Sequence, residues 1–217
     1  MKNILFLILT ALFFCACNND PSKDKKEVVA PFGKDSIVSK PASEDTLKPA
    51  PVSVAEVTKA ILPLIKNKDY KGFTAYIHPV EGIRFSAYAY IDTAADQHFS
   101  ATAFFSLLSQ KNKKLTWGSF DGSGDAIKMT LDEYFKRFVY DADFLNAEKT
   151  SVGKMLGGGN SLNNLYKVYP GLEFTESYFS GFDKKLEGMD WVALRLVYKK
   201  YHGKLYLVGV VHDQWTI

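Results

Sequence analysis

Residues 191–217 read WVALRLVYKKYHGKLYLVGVVHDQWTI, and this stretch decides the fold class. WVALRLVYKK (191–200) and KLYLVGVVHDQWTI (204–217) are dense in β-branched, aliphatic and aromatic residues, which suit a pleated, half-buried surface. Tyr201-His202-Gly203 between them carries a hairpin turn signal. LEFTESYF (172–179) alternates polar and apolar residues and predicts a third strand beside this pair. The last third of the chain is therefore an antiparallel meander.

Moving toward the N-terminus, the signals become helical. Ser53-Val54-Ala55-Glu56 is a capping box, and Val54, Val57, Ile61, Leu64 and Ile65 follow at helical spacing, with Pro63 a candidate kink. Asp69 to Ile77 predicts a second short helix, closed by His78-Pro79. IRFSAYAYID (83–92) predicts a strand, Ser100 caps a helix over 101–109, and KLTWGSF (114–120) predicts another strand. A second capping box at Thr130-Leu131-Asp132-Glu133 starts a helix through Phe138, and a short helix is expected from Ser161. Helices followed by strands predict an α+β domain, with N-terminal helices packed on a curved antiparallel sheet. A sheet curled around helices can leave a pocket.

Both ends of the charge and composition range are excluded. Net charge is +3, and removing residues 1–52 (seven Lys, six Asp or Glu) leaves 20 basic against 18 acidic residues. That balance gives no electrostatic footprint for nucleic acid. Residues 18–52 hold five of the eight prolines and one aromatic, Phe32, so they cannot bury enough apolar area to form a core. They read as a disordered tether of roughly 30–35 Å r.m.s. span. Residues 53–217 read as one globular α+β domain.

MKNILFLILTALFFCAC (1–17) has a charged start and an apolar run from Ile4 to Phe14. The run is shorter than the about 20 apolar residues a bilayer span needs, and it fits the apolar region of a signal peptide. Phe14-Cys15-Ala16-Cys17 resembles a bacterial lipobox, in which the cysteine is diacylated and becomes the mature N-terminus. The resemblance implies export, a palmitate-type lipid anchor on Cys17 and a place in the cell envelope. Asn18 after that cysteine resembles sorting signals for the outer membrane, on the periplasmic or surface face. Phe14 where Leu is usual, and the neighbouring Cys15, depart from the pattern. An ordinary signal peptide or a short membrane anchor is the alternative. Cys15 and Cys17 are the only cysteines, so residues 53–217 contain no disulfide and no thiolate nucleophile or metal ligand.

KNKDYKGFTAYIHP (66–79), placed between a helix and a strand, is similar to the opening of NTF2-like (SnoaL/cystatin-like cone) domains. IHPVEGIRFSAY, WGSFDGSGD, KRFVYDADFLNAE, GMDWVALRLV and LVGVVHDQWTI resemble a family of exported bacterial domains, found on lipoproteins and at the ends of larger secreted proteins. That likeness spans about residues 70–217. It implies an envelope location and no particular activity or cofactor.

Few residue patterns carry chemistry. Asp121, Ser123 and Asp125 in WGSFDGSGD (117–125) have the 1-3-5 spacing of a calcium loop, but Ala126 and Asp132 stand where Gly and Glu belong. A tight turn, or a loop lining a site, are the other readings. His212 is the candidate general base, needing a carboxylate from another segment such as Asp121, Asp141, Asp143 or Asp190. Asp213 is adjacent in a strand and points the opposite way. The bland alternative is a polar cluster pinning the chain end. A His78–His212 metal pair lacks the usual spacings, and no metal or cofactor is expected. Gly157-Gly158-Gly159-Asn160-Ser161 reads as a connector or as an anion-binding helix start. Aromatic residues make up 14% of the chain. Tyr88, Tyr90, Trp117, Tyr140, Tyr178, Trp191 and Trp215 are the ligand-pocket candidates, against a core reading for the same side chains, and Arg84 and Arg195 are the anion candidates, against ion pairing with neighbouring carboxylates. Three functions remain: a tethered envelope domain binding a small ligand or envelope partner, a hydrolase using His212 with a carboxylate, or a purely structural protein.

Overall fold

A computed structural model describes residues 52–216. The signal peptide, Cys17 and the tether up to residue 51 lie outside the described residues. Helix α1 (Val54–Lys66) starts at its capping box: Ser53 accepts from the Glu56 amide at 3.3 Å, and the Glu56 carboxylate accepts from the Ser53 amide at 2.7 Å. Its apolar stripe, Val54, Val57, Ile61, Leu62 and Ile65, is buried against the sheet. Thr58 lies on the same stripe and bonds Thr175 at 2.8 Å and the Tyr198 hydroxyl at 2.5 Å, tying the helix to two strands.

Helix α2 (Tyr70–Thr74), capped by Asp69, is shorter than expected. Strand β1 (Ile83–Ser86) and strand β2 (Gln97–Phe99) follow, then helix α3 (Ala101–Leu107) capped by Ser100. Strands β3 (Leu115–Ser119) and β4 (Ala126–Met129) form a separate two-stranded ribbon that leads into helix α4 (Leu131–Phe138), capped by Thr130. Strand β5 (Lys149–Val152), helix α5 (Leu165–Val168), and strands β6 (Glu173–Phe179), β7 (Val192–Tyr201) and β8 (Lys204–Gln214) complete the fold.

The architecture is α+β, with a curved, unclosed sheet and few helices. The six-stranded sheet has the order β2-β1-β8-β7-β6-β5. It is not wholly antiparallel, because β1 runs parallel to β8, with Arg84 opposite Gly209. The meander from β5 to β8 is antiparallel throughout. The β7–β8 turn has positive φ at His202 (46°) and Gly203 (78°), the pairing a two-residue hairpin of matching twist requires.

Both faces of the sheet are covered. The larger core lies under the helices, where Phe73, Phe85, Phe104, Trp117, Tyr134 and Phe135 interlock at ring separations of about 4–6.5 Å. A smaller cluster on the opposite face joins Ile91, Leu165, Phe174, Val197, Val208 and Val211. A bulge at Val197/Tyr198 against β8 resets the alternation between these two faces.

The expected strand over 83–92 stops at Ser86. Beyond it the backbone finds other partners. The Asn164 side chain both donates to and accepts from Ile91, and the Ala87 carbonyl faces His212. Residues 87–96 therefore leave the sheet as a connection, and that departure opens the site.

Candidate functional site

A cleft of about 500 Å³ lies between this connection, the β3–β4 turn and residues 160–162. Tyr88, Tyr90 and Phe120 line its walls, and Trp117 lies at its base. Trp117 is held rigidly: its ring stacks on Tyr134 at 4.0 Å, and its indole N–H donates to the Met129 carbonyl at 2.9 Å. Gly118, beside it, has φ +108°, and a Cβ there would stand 3.4 Å from Asp96 Oδ1. A side chain at that position would be strained by the positive φ.

Three carboxylates, Asp92, Asp96 and Asp121, face this volume, and the lining contains no Lys, Arg or His among the described residues. Asp92 Oδ1 accepts from the amides of Ala94 and Ala95, which shapes the connection. Asp96 is bonded through Oδ2, by the Ser86 hydroxyl and the Asp92 amide. Burial raises its carboxyl to about 6, against the opposing pull of those two bonds and the Arg84 charge. Burial likewise raises the Tyr88 hydroxyl, with the Asp121 amide opposing. Asp121 itself is exposed at the rim.

WGSFDGSGD is thus both a turn and a cleft wall. The Phe120 amide donates to the Asp125 carbonyl at 2.8 Å and the Gly124 amide to the Phe120 carbonyl at 2.9 Å, closing the β3–β4 connection. A strand, β4, intervenes before the capped helix that was expected to follow the turn directly. No group of three His, Cys, Asp or Glu close enough to hold a metal occurs among the described residues.

Of the expected pocket residues, Tyr88, Tyr90 and Trp117 line the cleft, whereas Arg84, Tyr140, Tyr178, Trp191 and Trp215 do not. Arg84 donates to the carbonyls of Thr93 (3.2 Å) and Asp96 (3.1 Å), so it braces the connection from behind. Trp191 is buried over Gly157 and Gly159. Trp215 is half-buried, and its amide reaches the Trp191 carbonyl at 3.4 Å. Asp92, Asp96 and Phe120 were not singled out by sequence. The only signal for the first two is the DTAAD pattern at 92–96, ordinary for a loop.

His212 lies elsewhere. It is fully buried, with Nδ1 3.2 Å from the Ala87 carbonyl and Nε2 3.1 Å from Asp141 Oδ2. A carbonyl only accepts, so Nδ1 donates there, and Nε2 faces the Asp141 carboxylate. Arg137 continues the cluster, 3.9 Å from Asp141 and donating to Gln214 at 2.8 Å. The cluster bonds β8 to the end of α4.

Asp121 and Asp190, the favoured partners for His212, are not in it. Asp121 faces the cleft, which His212 does not line. The Asp190 carboxylate is held below its ordinary range by the amides of Asp183 and Phe182. Asp143 is likewise engaged, by Tyr140, Lys66 and Asn146, which lower it to about 2. His78 uses Nδ1 to accept from the amides of Val80 and Glu81 and packs on Tyr201 and Tyr206, so it makes no pair with His212.

Arg195 was an anion candidate, but its guanidinium is already paired. On the face of β7 opposite the helices, it bonds Glu176 at 3.0 Å and Asp213 at 2.8 Å, all three essentially buried. Its Nη2 also donates to the Gly157 carbonyl, and the Gly157 amide donates to Glu176. The glycine run is therefore a strap over a buried ion cluster. Compared with protein-family models, curated proteins and solved structures, the chain has no match.

Proposed function

We propose that this chain is a lipid-anchored, extracytoplasmic envelope domain that binds a small ligand in the cleft bounded by Tyr88, Trp117 and Asp121. The single observation that carries this reading is the cleft itself: aromatic walls around a few polar groups, as small-molecule sites are built. The acid–base pair a hydrolase needs does not open onto it, because His212 and Asp141 are engaged in tying β8 to α4. The finer fold we propose is an NTF2-like cone, supported by the helix pair before β1 and by a mixed sheet curving over α1 and α4.

Residues 1–17 act as a lipoprotein signal, Cys17 carries the lipid, and residues 18–52 hold the domain clear of the outer membrane. The support is the sequence pattern of those residues. No helix among the described residues is long and apolar enough to cross a membrane. Two experiments test the reading. Membrane partitioning should be lost in Cys17→Ala, and unchanged partitioning would sink the anchor. Ligand-detected NMR against a small-molecule library should yield binders displaced by Tyr88→Ala, whereas binders indifferent to that change would remove the cleft from consideration.

A further inference from the structure

We propose that the cleft is a site for an organic cation, a protonated amine carried on a sugar-sized or single-ring body. This rests on the reading of the cleft as a ligand site and adds the charge class. Three carboxylates face the volume with no basic residue among the lining, so an anion is repelled and a neutral polyol leaves the field uncompensated. The walls supply aromatic rings, with Tyr90 52% exposed, and an ammonium over such a ring gains cation–π attraction. A bare metal ion does not fit, since no three ligating side chains converge.

A second, independent observation lies beneath the base of the cleft. The Tyr134 hydroxyl is buried, only 1% exposed as a residue, and has no hydrogen-bond partner among the described residues. Its ring stacks on Trp117, and the charge of Asp96 bears on its hydroxyl. An unpartnered buried hydroxyl is costly, and this one lies within the electrostatic reach of Asp96, a cleft carboxylate. An amine seated at Asp96, or a water it brings, completes that set.

The groups facing Asp96 are Arg84 from β1, Asp92 from the same connection, Tyr134 from α4 and Tyr169 from the segment after α5. Arg84 spends its hydrogen bonds on backbone carbonyls while its charge still lowers Asp96, and with that pull included Asp96 is an anion above about 6 and a neutral acid below it. Amine binding should therefore strengthen as pH rises through that value.

The test uses the full chain and two matched probe sets: glucosamine, glucose and glucuronate; and phenethylamine, 2-phenylethanol and phenylacetate. Binding is read from NMR shifts of the Gly118 and Asp121 amides and the Trp117 indole. In at least one set the amine should bind at least tenfold tighter than the alcohol, with the acid weakest. Asp121→Asn, at an exposed position, and Asp96→Asn should each lower amine affinity about tenfold and leave the neutral probe unchanged. Amine affinity should fall about tenfold from pH 7.5 to 5, following ionisation of one carboxyl, and stay flat in Asp96→Asn. Neutral or acidic probes binding as tightly as the amines would overturn the cation assignment and leave the ligand site standing. If no probe shifts the cleft signals, the cation assignment falls, and the library screen decides the ligand site separately.

Discussion

Replacing Arg195 by Met should be among the most destabilising single changes in the protein. The guanidinium sits between Glu176 and Asp213 at 3.0 and 2.8 Å, and the three side chains are 0%, 0% and 4% exposed. Methionine nearly preserves the volume, so cavity formation is a minor cost. What remains is two buried carboxylates without a counter-charge, and breaking such a pair from one side costs about 3–5 kcal/mol. For a domain of this size that corresponds to a fall in Tm of roughly 6–20 °C.

The loss has a pH signature. Burial already raises the Asp213 carboxyl, and Arg195 opposes that rise. Without Arg195 the folded pKa climbs further, and a carboxyl raised on folding stabilises less as pH increases through its folded value. The deficit of Arg195→Met relative to wild type should therefore be largest near pH 7 and shrink toward pH 5. Urea denaturation at both pH values measures this. A deficit below about 1 kcal/mol, or one independent of pH, would show that the three groups are not an electrostatic unit.

Three further outcomes are expected. A Cβ on Gly157 would stand 2.7 Å from the buried Trp191 ring, so Gly157→Ala should lose about 1–3 kcal/mol in chemical denaturation, and Gly159→Ala, at 3.2 Å, should lose less. Ser53→Ala and Thr130→Ala each remove the acceptor of a formed capping box and should lower stability by about 1 kcal/mol, read from denaturation midpoints. Asp143 is exposed but held at about 2 by Tyr140, Lys66 and Asn146. A carboxyl depressed on folding stabilises above its unfolded pKa, so any advantage over Asp143→Asn should be present at pH 6 and gone by about pH 2 in thermal melts.

Much of the scaffold was legible because its signals are local. Both capping boxes formed as read, since their bonds lie within four residues, and the β7–β8 hairpin followed from its own turn. What failed depended on distant partners. The strand expected through residue 92 ended at Ser86 because Asn164 supplies the bonds at Ile91 from 73 positions away. The β1–β8 pairing is parallel and joins opposite ends of the domain, which no periodicity encodes. The site shows the same division. Trp117 and Tyr88 stood out as aromatics, but Asp96 acquires its character only from burial against Ser86 and the Arg84-braced connection. His212 was read as a base needing a carboxylate from another segment, and the carboxylate beside it is that of Asp141. Its partner is fixed by where α4 ends, not by its own surroundings in sequence.

The position of β8 has a consequence for the order of assembly. Arg84 pairs with Gly209, 125 positions later, so the strand that holds the sheet together is made after every other described strand. Until it arrives, β1 and β2 have no neighbour to join them to the meander, and the apolar faces of α1 and α2 have no complete surface to cover. Closing so long a loop is slow compared with local helix formation. Whatever order the other elements form in, the two halves of this sheet can lock together only once β8 is in place.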